Sequence, residues 1–213
     1  LKDNGATANT AYCLRAVKSD GTVLNTYTVV PQITTAADNY LYFSTDGNIS
    51  LPNLTPGTIV VATSSILGVR TNNAGGFNIT VQRDDTDTTI DLSTDASINI
   101  TDKTNWDATL NTNAGNATAS STEPQTLQFR TRYAGTDASN YSSTWWGTDD
   151  TDANAKFAGL PPSTYTASQK KIINRTSSAV STTTSYVLYN LDVPVTQKTG
   201  SYTGGITFTA VVN

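Results

Sequence analysis

The clearest hydrophobic pattern in the chain lies at its C-terminal end, over residues 184–213. Apolar and polar side chains alternate over residues 187–193 and again over residues 206–212, with a break between them. A period of two with β-branched and aromatic residues is typical of half-buried strands. The pattern therefore predicts two strands joined by a turn, which form a closing hairpin.

The same alternation recurs upstream in short segments separated by Gly, Pro, Asn and Asp. It predicts strands at residues 11–17, 22–30, 40–44, 49–51, 58–63, 66–71, 77–83, 90–92, 98–100, 126–133, 171–174 and 180–185. The strands at 66–71 and 77–83 flank the sequence NNAGG, whose residues tolerate positive φ, so they are predicted to form a hairpin. No stretch has the period of an amphipathic helix.

Many short strands linked by polar turns are typical of a β-sandwich. The predicted fold is all-β: an immunoglobulin-like or jelly-roll β-sandwich with long decorated loops. Residues 1–17 are interpreted as an N-terminal segment and residues 18–213 as a single β-sandwich domain. The alternative is two packed sub-sandwiches, with their boundary in the polar loop at residues 111–124.

The residue inventory narrows the classes of function. The chain has no His, which excludes Ser-His-Asp and Cys-His catalysis and most zinc sites. Cys13 is alone, so it is interpreted as a small buried side chain rather than a nucleophile. The net charge of −4 argues against a nucleic-acid partner, and no stretch approaches the roughly 20 apolar residues of a membrane helix. The absence of Met predicts a mature, secreted chain whose signal sequence has been removed, and the alternative is a sequence that simply begins inside a longer chain.

Two acidic clusters are candidates for calcium binding, namely Asp84, Asp85 and Asp87, and Asp149, Asp150 and Asp152. Calcium takes about six to eight oxygen ligands, which clustered loop carboxylates can supply. Neither cluster has the EF-hand spacing. The alternative is that both clusters are solvated turns that keep a weakly charged surface soluble.

Trp145 and Trp146, with Tyr141 nearby, could form an aromatic platform for a sugar ring. Adjacent residues in a strand point to opposite faces, so the alternative is that one Trp lies in the core and the other covers a rim. Retaining glycoside hydrolysis would need a pair of carboxylates in a cleft, and no pair stands out in the sequence.

The chain contains seven Asn-X-Ser/Thr sequons, which are candidates for N-glycosylation: Asn48, Asn53, Asn78, Asn99, Asn116, Asn140 and Asn174. They matter only in an organism that glycosylates extracellular proteins at Asn. Asn116 lies in the predicted open loop and is the best candidate among them.

Two stretches resemble a known group of proteins. The first, residues 54–81, contains LTPG, VVAT and TNNAGGFNITV, and the second, residues 193–210, is VPVTQKTGSYTGGITFTA. They are similar to secreted prokaryotic surface proteins with an immunoglobulin-like or jelly-roll sandwich, such as biofilm-matrix fibre proteins of the TasA and camelysin kind and archaeal bundling pili. The resemblance implies a filament in which a terminal strand of one subunit completes the sheet of its neighbour.

We therefore expect a non-enzymatic structural subunit of an extracellular filament at the cell surface, without cofactors, that assembles as a homopolymer by donor-strand complementation. A sandwich that lacks one strand exposes an apolar groove, which a strand from another chain can fill. The candidate donor is the N-terminal segment, with the alternating residues Ala6, Ala8, Thr10, Tyr12 and Leu14. The alternative is a frayed terminus followed by an ordinary edge strand.

Two other functions compete with this expectation. One is a cell-surface carbohydrate-binding or adhesin module, which would bind glycans through Trp145 or Trp146, with or without calcium. The other is a secreted hydrolase that uses a carboxylate pair.

Overall fold

The computed structural model describes residues 11–13, 32–34, 39–51, 55–111, 125–151 and 154–213. The chain divides into two compact units, Leu1–Asn39 and Tyr40–Asn213. The predicted boundary after residue 17 lies outside the described residues and stays a prediction.

In the first unit, strand β1 (Ala11–Cys13) pairs antiparallel with strand β2 (Gln32–Thr34). Tyr12 lies opposite Ile33 in this pairing. A strand is thus present at the start of the predicted segment 11–17.

The second unit is built from ten strands, one short α-helix and one 3₁₀ turn (Ala138–Asn140) within its described residues. They are β3 (Leu41–Thr45), β4 (Ile59–Thr71), β5 (Phe77–Arg83), β6 (Thr89–Leu92), β7 (Asp95–Thr101), β8 (Leu127–Thr131), α1 (Ser143–Trp146), β9 (Lys171–Arg175), β10 (Ala179–Asp192), β11 (Tyr202–Thr203) and β12 (Ile206–Val212). The sheet orders are β3-β4-β10-β8, β12-β5-β9 and β11-β6-β7, and all of these pairings are antiparallel. This arrangement confirms the prediction of an all-β sandwich.

One apolar core joins the three sheets of this unit. On β5 the buried side chains alternate as predicted, with Phe77, Ile79 and Val81 directed into the core. Strands β4 and β10 contribute their own alternating rows, which include Leu67 and Tyr189. Complete burial of such a side chain stabilises the fold by about 1.5–3 kcal/mol, so these rows determine which face of each strand lies inward.

Both predicted hairpins are wrong, because their strands lie in different sheets. Strand β4 covers both predicted strands at 58–63 and 66–71 and pairs with β3 and β10, whereas β5 pairs with β12 and β9. The chain crosses from one sheet to the other at residues 72–76. Gly76 has φ 78°, and a β-carbon there would lie 2.1 Å from the carbonyl oxygen of Arg175. The turn residues were recognised correctly, but a turn alone does not determine whether the two strands pair.

The predicted closing hairpin at the C-terminal end is wrong for the same reason. Strand β10 pairs with β4 and β8, and β12 pairs with β5 instead of β10. The predicted strand at residues 49–51 is also wrong, since this stretch has no regular structure.

Candidate functional site

The sandwich of the second unit is open along one side, where a groove of about 980 Å³ reaches the core. One wall is the irregular stretch at residues 45–51, and the other is formed by residues 197–206 together with Phe208. The floor comprises Ser65, Arg83, Ile90, Ile100, Leu127, Tyr189, Leu191 and Val193. Each of these floor residues is at most 9% exposed, so the groove is lined by the hydrophobic core itself.

Apolar side chains along this opening are less completely covered than the rest of the core. Partly buried hydrophobic residues packed against the core line both walls, namely Ile49, Leu51, Tyr202, Ile206 and Phe208. On β12 the partly buried row continues to Ala210, and β3 carries Leu41 and Phe43 in the same condition. The core of this unit is therefore incompletely covered where residues 45–51 face residues 197–208.

Strands β3 and β12 are both edge strands. In the described part of the chain, β3 pairs with β4 alone and β12 pairs with β5 alone. The second edge of each strand leaves a row of backbone N–H and C=O groups for another strand. Of these two strands, Thr45 of β3 and Ile206 and Phe208 of β12 line the opening.

Three polar side chains lie among the apolar floor residues, and we call Ser65, Arg83 and Tyr189 the polar floor. Each is at most 2% exposed. The hydroxyl groups of Ser65 and Tyr189 are 3.2 Å apart and share a hydrogen bond. Burial raises the pKa of the Tyr189 hydroxyl, although the bond to Ser65 and the Arg83 charge oppose the rise, so this group stays protonated.

Arg83 is held by a buried ion pair. Its Nε donates to Asp102 Oδ2 at 2.8 Å, and its Nη2 donates to Asp102 Oδ1 at 2.5 Å. Removal from water raises the pKa of Asp102, while the hydrogen bonds and charge of Arg83 oppose that rise. The third nitrogen, Arg83 Nη1, is buried and has no hydrogen-bond partner among the described residues.

The tryptophan pair is arranged as the second alternative predicts, with one side chain in the core and the other partly buried against it, but the pair does not lie on a strand. Trp145 and Trp146 belong to helical turn α1, so the prediction that they alternate along a strand is wrong. Trp146 is completely buried, and its Nε1 donates to the Ile172 carbonyl at 3.1 Å. Trp145 is partly buried and contacts the edge of Trp106, with ring centroids 5.5 Å apart. Trp146 is consequently a core residue, and a two-tryptophan sugar platform does not exist here.

The acidic cluster at Asp149 and Asp150 stabilises the loop that follows α1. Asp150 accepts hydrogen bonds from Arg130, Arg132 and the backbone N–H groups of Tyr133 and Ala134. Asp149 accepts from the N–H and hydroxyl of Thr151. The Asp149 and Asp150 carboxylates therefore accept hydrogen bonds from side chains and backbone groups of the protein itself.

The other candidates for calcium binding remain without structural support. Asp152 lies outside the described residues, whereas Asp84, Asp85 and Asp87 are exposed. Within the described ranges, no group of three metal-ligating side chains occurs.

We expect Asp150→Asn to weaken the pH dependence of the free energy of unfolding in acid. Desolvation raises the pKa of Asp150, but the hydrogen bonds from Ala134, Tyr133, Arg132 and Arg130 outweigh it, so the pKa lies below its usual range. The stabilisation is therefore complete above the unfolded pKa of about 3.9 and is lost as pH falls through the folded pKa. Urea unfolding between about pH 2 and 6 should show that the free energy of unfolding falls less steeply with decreasing pH in the variant than in wild type. An equal pH dependence of the free energy of unfolding in the variant and in wild type would contradict this expectation. So would an equal change of that dependence in Asp84→Asn.

The described sequons differ in accessibility. Asn48, Asn99 and Asn174 are exposed. Asn140 is 3% exposed, and its Nδ2 donates to the Ser185 hydroxyl at 3.1 Å. A glycan is attached through this same nitrogen, so glycosylation at Asn140 would require loss of that contact. Asn78 is partly buried, and its Nδ2 donates to Asn213, while Asn53 and Asn116 lie outside the described residues.

Of the five alternating residues of the predicted donor segment, Tyr12 is described, and it lies in β1. Ala6, Ala8, Thr10 and Leu14 lie outside the described residues. The sequence does not indicate the groove or its polar floor. A signal for Arg83 was present, because it continues the inward row of Phe77, Ile79 and Val81.

In the described ranges, no helix has the length and apolar character needed to cross a bilayer. The sequence matches no protein-family model and no curated protein.

Proposed function

We propose that this protein is a structural, non-enzymatic subunit of an extracellular filament, and that the groove between residues 45–51 and residues 197–208 accepts a strand from a neighbouring copy. The observation that carries the proposal is the groove of about 980 Å³ whose floor is the hydrophobic core. An inserted strand would cover Ile206 and Phe208 and remove their remaining apolar surface from water. It would also satisfy the backbone groups on the open edge of β12.

The N-terminal segment is the occupant that suits this groove best. Its alternating residues Ala6, Ala8, Thr10, Tyr12 and Leu14 are uncharged, as are all floor residues except the ion-paired Arg83. Small side chains at the first positions allow close approach to a floor that already contains large side chains.

Strand exchange of this kind leads to a filament and not to a closed dimer. The donor segment and the groove are different surfaces, so each chain can give a strand to one neighbour and receive one from another. Such a heterologous contact propagates head to tail and remains open unless the rotation between subunits closes a ring. An extracellular location accords with this function, because fibres of this type are exposed structures.

Electron microscopy of the full-length protein and of a chain lacking residues 1–10 tests the proposal. We expect fibres from the full-length protein and dispersed particles from the shortened chain, with similar far-ultraviolet circular dichroism spectra. Dispersed monomers in both samples, or fibres in both, would contradict donation by this segment.

A second function has one observation in its favour. On the outer face of the four-stranded sheet, the Arg70 guanidinium lies 4.5 Å from the ring centroid of Tyr42, and Tyr42 is 58% exposed. An exposed aromatic ring of this kind can stack on a sugar, so a glycan-binding module is the competing proposal. Glycan binding that is lost in Tyr42→Ala, from a protein that forms no fibres, would favour it.

A further inference from the structure

Two tyrosines and one arginine form a cluster at the start of strand β3, and we call Tyr40, Tyr42 and Arg70 the outer cluster. The Arg70 Cζ atom lies 4.5 Å from the ring centroid of Tyr42 and 5.6 Å from that of Tyr40. The two ring centroids are 5.4 Å apart, with an angle of 56° between the ring planes. The guanidinium group therefore lies close to both aromatic rings, an arrangement that cation–π attraction stabilises.

The backbone at the start of β3 holds the rings of this cluster in place. The Tyr40 N–H donates to Asn72 Oδ1 at 3.0 Å, and the Tyr40 carbonyl accepts from the Thr71 hydroxyl at 2.6 Å. Tyr42 is the cross-strand neighbour of Arg70. The rings that contact Arg70 are thus attached to backbone that is itself fixed to β4 and the turn after it, which orients the guanidinium in advance of binding.

The guanidinium in this position keeps its N–H groups available to a ligand. An aromatic ring contacts the flat face of a guanidinium, whereas the N–H groups point outward in its plane. Arg70 is exposed, and it forms no ion pair with any residue that the structure describes. Charge complementarity therefore favours an anionic ligand, and the planar fork of donors matches a carboxylate through two parallel hydrogen bonds.

Beside Arg70, the surface of the sheet has a gap between side chains with hydroxyl-bearing residues at its border. Gly68 lies two residues before Arg70 on β4 and hence on the same face, where it has no side chain. A β-carbon built at Gly68 would lie 2.7 Å from the Ser44 hydroxyl oxygen and 3.4 Å from Thr182 Cγ2. Ser44 and Thr182 are both exposed. This part of the surface thus offers hydroxyl groups, which can donate to and accept from the hydroxyls of a sugar.

We propose that the outer cluster binds the uronic acid residues of an acidic polysaccharide. Arg70 pairs with the carboxylate, Ser44 and Thr182 exchange hydrogen bonds with the sugar hydroxyls, and Tyr42, which is 58% exposed, supplies an apolar ring surface. A uronic acid carries a carboxylate and several hydroxyls on one ring, so a single sugar residue matches all of these groups.

This inference rests on the glycan-binding proposal, whose class of ligand it names. It is independent of strand exchange, because none of the three residues of the outer cluster lines the groove. A filament subunit can therefore carry this site whether or not its groove is occupied.

Calorimetric titration of the full-length protein with a matched pair of ligands tests the inference. The acidic probe is an oligogalacturonic acid, and the neutral probe is the same oligosaccharide with its carboxylates methyl-esterified. We expect wild type to bind the acidic probe about tenfold more tightly, because esterification removes the charge that Arg70 pairs with. The net charge of −4 opposes non-specific attraction of the acidic probe, so this preference must come from a local site. It should decrease with increasing salt, since Arg70 is exposed.

Variants with one charge removed assign the preference to the outer cluster. Arg70→Gln should abolish the difference in affinity between the two probes, whereas Arg70→Lys, which keeps the charge but loses the planar fork, should retain part of it. Lys198→Gln removes the same charge at an exposed position in the groove wall and should leave the preference unchanged. Because Arg70 and Lys198 are exposed, these variants should have the far-ultraviolet circular dichroism spectrum of wild type.

Three results would overturn the inference. The first is equal affinity of wild type for the acidic and the neutral probe, and the second is an equal loss of the preference in Arg70→Gln and Lys198→Gln. Both would leave the glycan-binding proposal intact, because the protein still binds a sugar. The third is a wild-type protein that binds neither probe, and the glycan-binding proposal would then depend on neutral glycans and the Tyr42→Ala variant alone.

Discussion

A chain with cysteine introduced at Thr207 is expected to form a ladder of disulfide-linked multimers on a non-reducing gel. The native Cys13 lies in the donor segment, and Thr207 lies on the solvent-facing side of β12, where it is exposed. Neighbouring strands place opposed Cα atoms about 4.5–5.5 Å apart, which falls within the range that a disulfide spans. Because each subunit would carry one donor cysteine and one acceptor cysteine, the links should extend beyond dimers and disappear on reduction.

Matched variants determine which contact forms the ladder. Cys13→Ser in the Thr207→Cys background should give monomers, and Ser177→Cys, an exposed position that does not line the groove, should give no ladder. A ladder from Ser44→Cys and not from Thr207→Cys would show that the donor pairs with β3. A fast-migrating monomer with an internal disulfide would contradict assembly, because the segment would then fill the groove of its own chain.

The strands of the second unit were largely predictable, but their partners were not. Alternation depends on residues close in sequence, and it located β5, β6 and β9 to within one residue and the end of β7 likewise, although β7 begins three residues earlier than predicted. Pairing depends on which rows of side chains meet across the core, and those rows are distant in sequence. The turn at residues 72–76 shows the limit, since its glycines permit a hairpin and a crossing between sheets equally well.

Strand β8 illustrates a second limit. Its alternation predicted one apolar face, yet all five residues from Leu127 to Thr131 are buried. Arg130 accounts for part of this burial, because its guanidinium donates to Asp150, to the Tyr141 hydroxyl and to the Trp146 carbonyl. The loop that carries Trp146 therefore covers the polar face of β8, a contact that no local pattern specifies.

The candidate site was the least predictable part, because the walls of the groove, residues 45–51 and residues 197–208, are distant from each other in sequence. Strands β3 and β12 lie near opposite ends of the second unit in sequence, so their proximity could not be inferred from alternation. The ion pair between Arg83 and Asp102 could in principle be predicted from the sequence. Arg83 and Asp102 each continue a row of inward apolar residues, after Val81 and Ile100 respectively, and opposite charges at two such positions favour a buried pair.

The second large effect is a loss of stability, which we expect in Asp102→Asn because this change breaks the buried ion pair. The Arg83 and Asp102 side chains are 1% and 0% exposed, so loss of the carboxylate charge leaves a guanidinium in the core without a counter-ion. Removal of one partner from such a pair lowers the free energy of unfolding by about 3–5 kcal/mol. For a chain of this size that corresponds to a decrease in melting temperature of roughly 6–20 °C. Urea unfolding and differential scanning calorimetry at neutral pH would measure both values.

Two comparison variants separate burial from charge in this result. Arg83→Met combined with Asp102→Leu removes both charges and should recover most of the lost stability, because a buried pair can be replaced by apolar residues at little net cost. Arg132→Met breaks the ion pair with Asp150, in which the Arg132 side chain is 42% exposed, and should lower the free energy of unfolding by about 1 kcal/mol or less. An Asp102→Asn protein as stable as wild type would mean that water reaches Arg83 through the groove, and the polar floor would then be a solvated surface.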